Sequence, residues 1–157
     1  MTTIPTGDVH DFDFLAGSWN VHNRRLTERG VGCTTWDEFP AESRLTLHLG
    51  SVANVEEIAF ATKGWAGMTV RVFNLATRQW SIYWINSQVG ALFPPVIGGF
   101  AGDLGEFYGD DVDGGRPVRV RFRWSRLGPD RARWEQAFAL EVQAWETNWT
   151  MEFTRRG

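Results

Sequence analysis

The clearest pattern in this sequence is an alternation of apolar and charged positions over residues 117–124. A two-residue period predicts a β-strand with one buried face and one charged face. Residues 131–138 repeat the alternation, and the Gly-Pro-Asp between the two runs is typical of a turn. The two runs are therefore predicted to form an antiparallel hairpin. Its inward-facing residues are predicted to be Val118, Val120, Phe122, Trp124, Ala132, Trp134, Gln136 and Phe138.

Shorter alternations divide the rest of the chain into strands separated by turn residues. The further strands are predicted at about 17–26, 32–39, 43–49, 52–61, 64–74, 80–86, 105–111 and 147–155. Strand periodicity also predicts which side chains face the interior. These are Leu45, Leu47 and Leu49 in 43–49, Met68, Val70 and Val72 in 64–74, and Trp80, Ile82, Trp84 and Asn86 in 80–86. Tyr108 and Asp110 are candidates in 105–111.

Residues 87–104 interrupt this rhythm, because their Pro-Pro and Gly-Gly pairs do not fit inside a regular strand. An apolar but irregular loop is a candidate lid over an open barrel end, and equally a candidate contact between two copies of the chain.

Many short strands joined by short turns favour an all-β fold. We predict a single up-and-down antiparallel β-barrel of about nine or ten strands, which removes the free edges of the sheet. Residues 1–9 are expected to form a flexible arm, followed by the barrel domain over 10–157. Residues 10–16 suit a short helical turn that plugs one end of the barrel, with Asp11 as its cap.

Length and charge narrow the class of protein. A chain of 157 residues is expected to form one domain. The net charge is −3 and the arginines are spread along strands, so nucleic acid is not expected as a partner. No stretch resembles a signal peptide or a membrane span, which predicts a cytoplasmic protein with no membrane partner. Cys33 is the single cysteine, so no intrachain disulfide forms.

Three segments resemble a known family. They are FDFLAGSW at 12–19, FYGDD at 107–111, and RWEQAF with WETNWTMEFTR over 133–155. The Gly-x-Trp opening is similar to that of the calycins, which include the lipocalins. The segments together resemble a bacterial family of lipocalin-like proteins of unknown function.

The resemblance implies a lipocalin-like barrel and a structural pair at its closed end. Trp19 would face the interior there, and Arg155, or its neighbour Arg156, would pack across it. Strand parity then turns Val21, Asn23 and Arg25 inward as well. On the last strand, Arg155 facing inward places Trp149, Met151 and Phe153 on the same face, which is the apolar one.

The chain contains nine tryptophans, a number that changes the interpretation of the interior. An indole is large and its N–H requires a partner, so many indoles in a barrel indicate an aromatic-walled cavity as readily as a filled core. Polar residues on inward positions add hydrogen-bonding groups to such a cavity. The candidate ligand-binding residues are Asn23, Arg25, Trp36, Trp84, Asn86, Trp124, Trp134 and Gln136.

The sequence offers little support for a metal or a cofactor. It has three histidines, of which His22 and His48 are predicted to face outward, and metal sites usually need at least three converging ligands. No histidine follows His48, so haem ligation late in the chain is not expected. We find no phosphate-binding glycine loop and no nucleophile elbow, and we expect no cofactor.

Three functions remain as hypotheses. The first is binding of a hydrophobic small molecule, aromatic or polyene, in a tryptophan-lined cavity. The second is a cofactor-independent isomerase, cyclase or dehydratase that uses the same cavity, with Asp110 or His22 as proton carrier and Tyr108 as a supporting group. The third is a filled barrel that acts as an interaction module, most simply as a homodimer.

Overall fold

A computed structural model describes residues 3–140 and 144–157 and shows a closed barrel. Ten antiparallel strands follow one another around it in chain order, and β1 pairs with β10 to complete the ring. The predicted up-and-down barrel is therefore confirmed, and it is consistent with a lipocalin-like architecture. The strands are β1 Gly17–Leu26, β2 Trp36–His48, β3 Ala53–Phe60, β4 Trp65–Asn74, β5 Gln79–Asn86, β6 Val96–Ala101, β7 Leu104–Asp113, β8 Arg116–Gly128, β9 Arg131–Ala139 and β10 Glu146–Arg155.

The hairpin predicted from the strongest alternation is formed by β8 and β9. Val120 lies opposite Phe138, and Trp124 lies opposite Trp134. Val118, Val120, Trp124 and Trp134 are buried, whereas Arg119 is exposed. The apolar face therefore lines the interior, as the two-residue period predicts.

The outward arginines of this sheet pair with carboxylates on neighbouring strands. Arg123 donates to Glu106 on β7 at 3.2 Å, and Arg133 donates to Glu152 on β10 at 2.6 Å. These are cross-strand pairs on a solvent-facing surface, where each contributes little to stability. Arg121 instead lies over the Trp145 ring, with 4.8 Å between its Cζ and the ring centroid.

The predictions for residues 32–49 were wrong in two respects. The structure has one continuous strand, β2, rather than two, and this strand begins at Trp36 rather than at residue 32. Leu45 faces the interior as predicted, but Leu47 is 37% exposed and Leu49 is 77% exposed. Both leucines lie where β2 reaches and passes the end of the barrel, so alternation no longer leads to burial there.

The inner face predicted for β4 was also wrong. Phe73 and Arg71 are buried, whereas Val72 is 40% exposed. The strand is therefore turned by one residue relative to the prediction, which placed Met68, Val70 and Val72 inside. The reason is that Arg71 forms an ion pair with the buried carboxylate of Glu56 on β3, which allows a charged residue to occupy an interior position.

One end of the barrel is closed by the segment that precedes β1. Phe12 and Leu15 are fully buried in it, and Phe12 packs edge-on against Trp80 with ring centroids 5.0 Å apart. The predicted helical plug is minimal, a single 3-10 turn at Asp13–Leu15. The carboxylate of Asp11 accepts hydrogen bonds from the Trp80 indole and from backbone N–H groups, which fixes the segment against the barrel.

The structural pair implied by the resemblance is present at this closed end. The Arg155 guanidinium lies 4.2 Å from the centroid of the buried Trp19 ring. It also donates to the backbone oxygens of Ala16 at 2.6 Å and of Phe14 at 2.7 Å. Arg155 thus joins the last strand, the first strand and the plug.

Among the described residues, no helix is long and apolar enough to cross a membrane.

Candidate functional site

The interior of the barrel contains a cavity of about 210 Å³ that lies above the plug. Its upper rim is formed by residues at the ends of strands opposite the closed end, among them Arg25, Asn86 and Asp113. Its lower part reaches Arg71 and Trp124, whose side chains lie close to Phe12 of the plug. The cavity therefore has a mouth at the open end of the barrel and a floor at its closed end.

Aromatic rings form much of the cavity wall. Trp149 lies at the centre of this wall, with its ring centroid 5.6 Å from that of Trp134 and 6.4 Å from that of Trp84, both in edge-to-face geometry. Trp65 and Phe122 extend the wall. Edge-to-face pairs hold ring orientations fixed, so the wall presents defined faces to a bound molecule.

The mouth carries two arginines, Arg25 and Arg29, together with Asp110, Asp111 and Asp113. Arg29 is held by Asp113 through two hydrogen bonds of 3.0 and 3.1 Å. Arg25 lies over the Trp149 ring at 4.3 Å, and within residues 3–140 and 144–157 it makes no ion pair. Burial lowers the pKa of the Arg25 guanidinium, and the charge of Arg29 acts in the same direction. Arg25 is thus a partly desolvated cation at the entrance.

The floor contains a buried ion pair between neighbouring strands. Arg71 on β4 is 2% exposed, and Glu56 on β3 is 4% exposed. Their side chains are paired, Asn54 accepts a second hydrogen bond from Arg71 at 2.8 Å, and Ser43 donates to Glu56 at 2.7 Å. Each charge is therefore compensated, which a buried ion pair requires.

The sequence analysis did not identify this cluster. Placing Met68, Val70 and Val72 inside left Arg71 on the outer face, and no inner face was predicted for residues 52–61, which contain Glu56. A signal was nevertheless present in the sequence. Phe73, two residues after Arg71, belongs to the same face of β4, and a bulky aromatic residue argues for an inward face.

Most of the predicted ligand-binding residues line the cavity, but two do not. The Asn23 side chain is buried behind the wall, where it accepts a hydrogen bond from the Trp149 indole at 3.0 Å. Trp36 lies on the outer face of β2 and packs against Arg24, which is exposed. The residues that do line the cavity are Arg25, Trp84, Asn86, Trp124, Trp134 and Gln136.

The three predicted catalytic side chains lie on the outer surface. His22 contacts Glu38 at 2.8 Å, and the carboxylate of Asp110, which stands at the rim of the mouth, pairs with Arg119 at 3.3 Å. The Tyr108 hydroxyl donates a hydrogen bond to Glu106. Burial raises the pKa of Tyr108, and this hydrogen bond raises it further. The structure does not bring His22 near Tyr108 and Asp110, since β10, β9 and β8 separate β1 from β7.

Within the described part of the chain, no group of three or more histidine, cysteine, aspartate or glutamate side chains is arranged to hold a metal ion. The cavity combines aromatic walls and a floor ion pair with a mouth that carries both arginine and aspartate side chains.

No protein-family model matches this chain, and no curated protein matches it.

Proposed function

We propose that this protein binds a small aromatic molecule in the cavity of the barrel. The observation that carries the proposal is that the indoles of Trp84, Trp134 and Trp149 all line one cavity inside the barrel. Binding pockets are typically apolar with a few polar groups at defined positions, and the floor and mouth supply such groups here. Stacking and edge-to-face contacts with indoles favour a flat, unsaturated ligand.

The size of the cavity supports a ligand of one or two rings. A cavity of about 150 Å³, engineered into another protein, is known to bind benzene. The cavity of about 210 Å³ described above therefore has room for a substituted benzene or a slightly larger ring system. A long polyene fits this volume less well.

Catalysis in the same cavity is less well supported than binding. An acid or base must reach the proton that it transfers, within hydrogen-bond distance or through one water. The side chains of His22 and Tyr108 are engaged on the outer face, and that of Asp110, at the rim of the mouth, is paired with Arg119. The interior carboxylate of Glu56 is held by Arg71 and Ser43. We therefore propose a binding protein.

We also propose that the chain belongs to the bacterial lipocalin-like family that its sequence resembles. The closed up-and-down barrel and the stacking of Arg155 on Trp19 at its closed end are in keeping with that assignment.

The test of ligand binding is to fill the cavity with a side chain. Thr69 lines the cavity from β4, and Val72 on the same strand is directed to solvent. We expect Thr69→Trp to weaken binding of indole, styrene and naphthalene by at least about tenfold, whereas Val72→Trp leaves binding unchanged. Isothermal titration calorimetry measures both.

Native mass spectrometry of the protein as isolated is a second test, because a copurified aromatic ligand would appear as an added mass on the intact protein. Absence of saturable binding for every aromatic compound in the wild-type protein, or equal binding by Thr69→Trp and wild type, contradicts the proposed function.

A further inference from the structure

Three arginines line the cavity, and they differ in their partners. Arg29 is bonded to Asp113 at 3.0 and 3.1 Å, and Arg71 is paired with Glu56. Within residues 3–140 and 144–157, Arg25 makes neither an ion pair nor a side-chain hydrogen bond. Arg25 therefore brings to the cavity a positive charge that has no direct partner among the described residues.

The guanidinium of Arg25 lies against the aromatic wall. Its Cζ is 4.3 Å from the ring centroid of Trp149, the indole that contacts both Trp84 and Trp134. An aromatic face attracts a cation, but it does not accept the several N–H bonds that a guanidinium can donate in its own plane. Arg25 is only partly buried, in contrast to Arg71, so a molecule in the cavity can reach it.

The carboxylates nearest to Arg25 are engaged by other cations. Asp113 is held by Arg29, and Asp37, which is opposite Arg25 in the β-ladder, is held by Lys63 at 2.6 Å. Burial, and after it the charge of Arg29, lower the pKa of the Arg25 guanidinium although both carboxylates act in the opposite direction. A further anion at Arg25 would compensate a cation that has lost part of its hydration.

The aspartates at the mouth limit the charge of such an anion. Asp110 is paired with Arg119 at 3.3 Å, whereas Asp111 has no ion pair among the described residues and accepts a hydrogen bond from the Val112 N–H at 2.8 Å. Asp111 lies on β7, which three strands separate from the β1 strand of Arg25. A single negative charge fits the Arg25 side of the mouth, whereas Asp111 would repel a dianion such as a phosphate monoester more strongly.

On the basis of the proposed binding function, we propose that Arg25 is a subsite for the carboxylate of an aromatic monocarboxylate, which enters the cavity ring first. The ring lies against Trp84, Trp134 and Trp149, and the carboxylate accepts paired hydrogen bonds from the Arg25 guanidinium at the mouth. The link between ring and carboxylate is short, because Arg25 lies directly against the aromatic wall.

The proposal is tested with three probes of nearly the same shape and different charge. At neutral pH phenylacetate is an anion, phenylacetamide is neutral and phenethylamine is a cation. We expect phenylacetate to bind at least about tenfold more tightly than phenylacetamide, as hydrogen bonds to a charged group predict, and phenethylamine to bind most weakly. Isothermal titration calorimetry at one ionic strength gives the three affinities for the wild-type protein, so this comparison needs no variant.

Two matched variants locate the contact. Arg25→Gln removes the cation at the mouth, and Arg24→Gln removes a cation from the outer face of the same strand, where Arg24 lies over Trp36 at 4.8 Å. Both variants change the net charge equally. We expect Arg25→Gln to lose the preference for phenylacetate over phenylacetamide and Arg24→Gln to keep it. Indole, which carries no charge, should bind to both variants and thereby shows that each is folded.

The outcomes distinguish this inference from the function on which it rests. If phenylacetate and phenylacetamide bind equally to the wild-type protein, or if Arg25→Gln keeps the preference, the subsite is overturned, while binding of indole leaves the proposed function standing. Tighter binding of phenethylamine assigns the charged contact to the aspartates of the mouth and also overturns the subsite. If neither indole nor any of the three probes binds, the proposed function falls together with the subsite.

Discussion

Arg71 is a charged residue at a position where the barrel interior is otherwise apolar, and it sets the character of the cavity floor. Its guanidinium is paired with Glu56, bonded to Asn54, and stacked 4.7 Å from the Phe12 ring of the plug. Removal of two charges from water is expensive, so each charge persists only because the other is present. The ion pair is therefore a unit, and its residues should not be replaceable one at a time.

Glu56→Gln tests this dependence. The substitution leaves the Arg71 charge buried and uncompensated, so we expect the free energy of unfolding to fall by about 3–5 kcal/mol. The exposed neighbour provides the control, since Glu57→Gln should change stability by less than about 0.5 kcal/mol. Urea denaturation measures both variants.

A double variant, Glu56→Met with Arg71→Met, should be more stable than Glu56→Gln, because it leaves no unpaired charge. If Glu56→Gln is as stable as the wild-type protein, the two residues are not a coupled unit.

At the scale of single elements, β4 shows what strand periodicity predicts and what it leaves open. The alternation correctly predicted that residues 64–74 form a strand, but the choice of inner face depended on the assumption that charged residues face water. Arg71 breaks that assumption because its partner lies on β3, and pairing between strands is not visible in the pattern of either one. The inward faces of β5, β8 and β9 were predicted correctly, since no inward position there is occupied by a charge.

The predicted positions of the candidate ligand-binding residues follow the same logic. Arg25, Trp84, Asn86 and Gln136 were placed correctly because strand parity alone directs them into the interior. Trp36 was misplaced because 32–39 and 43–49 were predicted as separate strands. In the single strand β2 the buried positions include Phe39 and Leu45, and the same alternation leaves Trp36 on the outer face.

The contact between β4 and β5 gives a prediction at this scale. A Cβ atom added at Gly67 would overlap the Trp84 indole, which forms part of the cavity wall. We expect Gly67→Ala to displace the indole, lower stability by about 1–3 kcal/mol and weaken binding of aromatic ligands. Thermal unfolding and calorimetry measure these effects.

The indole can be removed to test this explanation. Adding Trp84→Leu to Gly67→Ala should restore part of the lost stability, since the overlapping ring is then absent. A Gly67→Ala protein with unchanged stability and affinity would contradict the steric account.

For the whole molecule, closure of the barrel depends on the contact between its first and last strands. β1 and β10 are paired from Trp19 opposite Arg155 to Arg25 opposite Trp149. Arg155 adds hydrogen bonds to the plug and to the turn at Pro129, so one side chain connects three parts of the chain.

Arg155→Lys is expected to weaken this closure although the charge is kept. Lysine cannot reproduce the planar fork of donors or the stacking on Trp19. We expect a loss of about 2–3 kcal/mol, as for hydrogen bonds to a charged group. Arg156→Lys is the control, because Arg156 only pairs with the exposed Glu42 at 3.6 Å.

Guanidinium chloride unfolding followed by Trp fluorescence gives the two values. Equal stability of Arg155→Lys and Arg156→Lys would show that the charge of Arg155 is sufficient.

The order of strands around the barrel has a consequence for how the chain acquires its structure. Every strand pairs with its neighbours in the sequence, and the seam between β1 and β10 joins residues far apart in the chain. Local pairings form at low entropic cost, whereas the seam must wait for a large loop to close. Synthesis proceeds from β1 towards β10, so the strand that completes the ring is made after all the others. Until then the tryptophan-rich interior faces water, and the nascent chain has two open strand edges that are prone to aggregation.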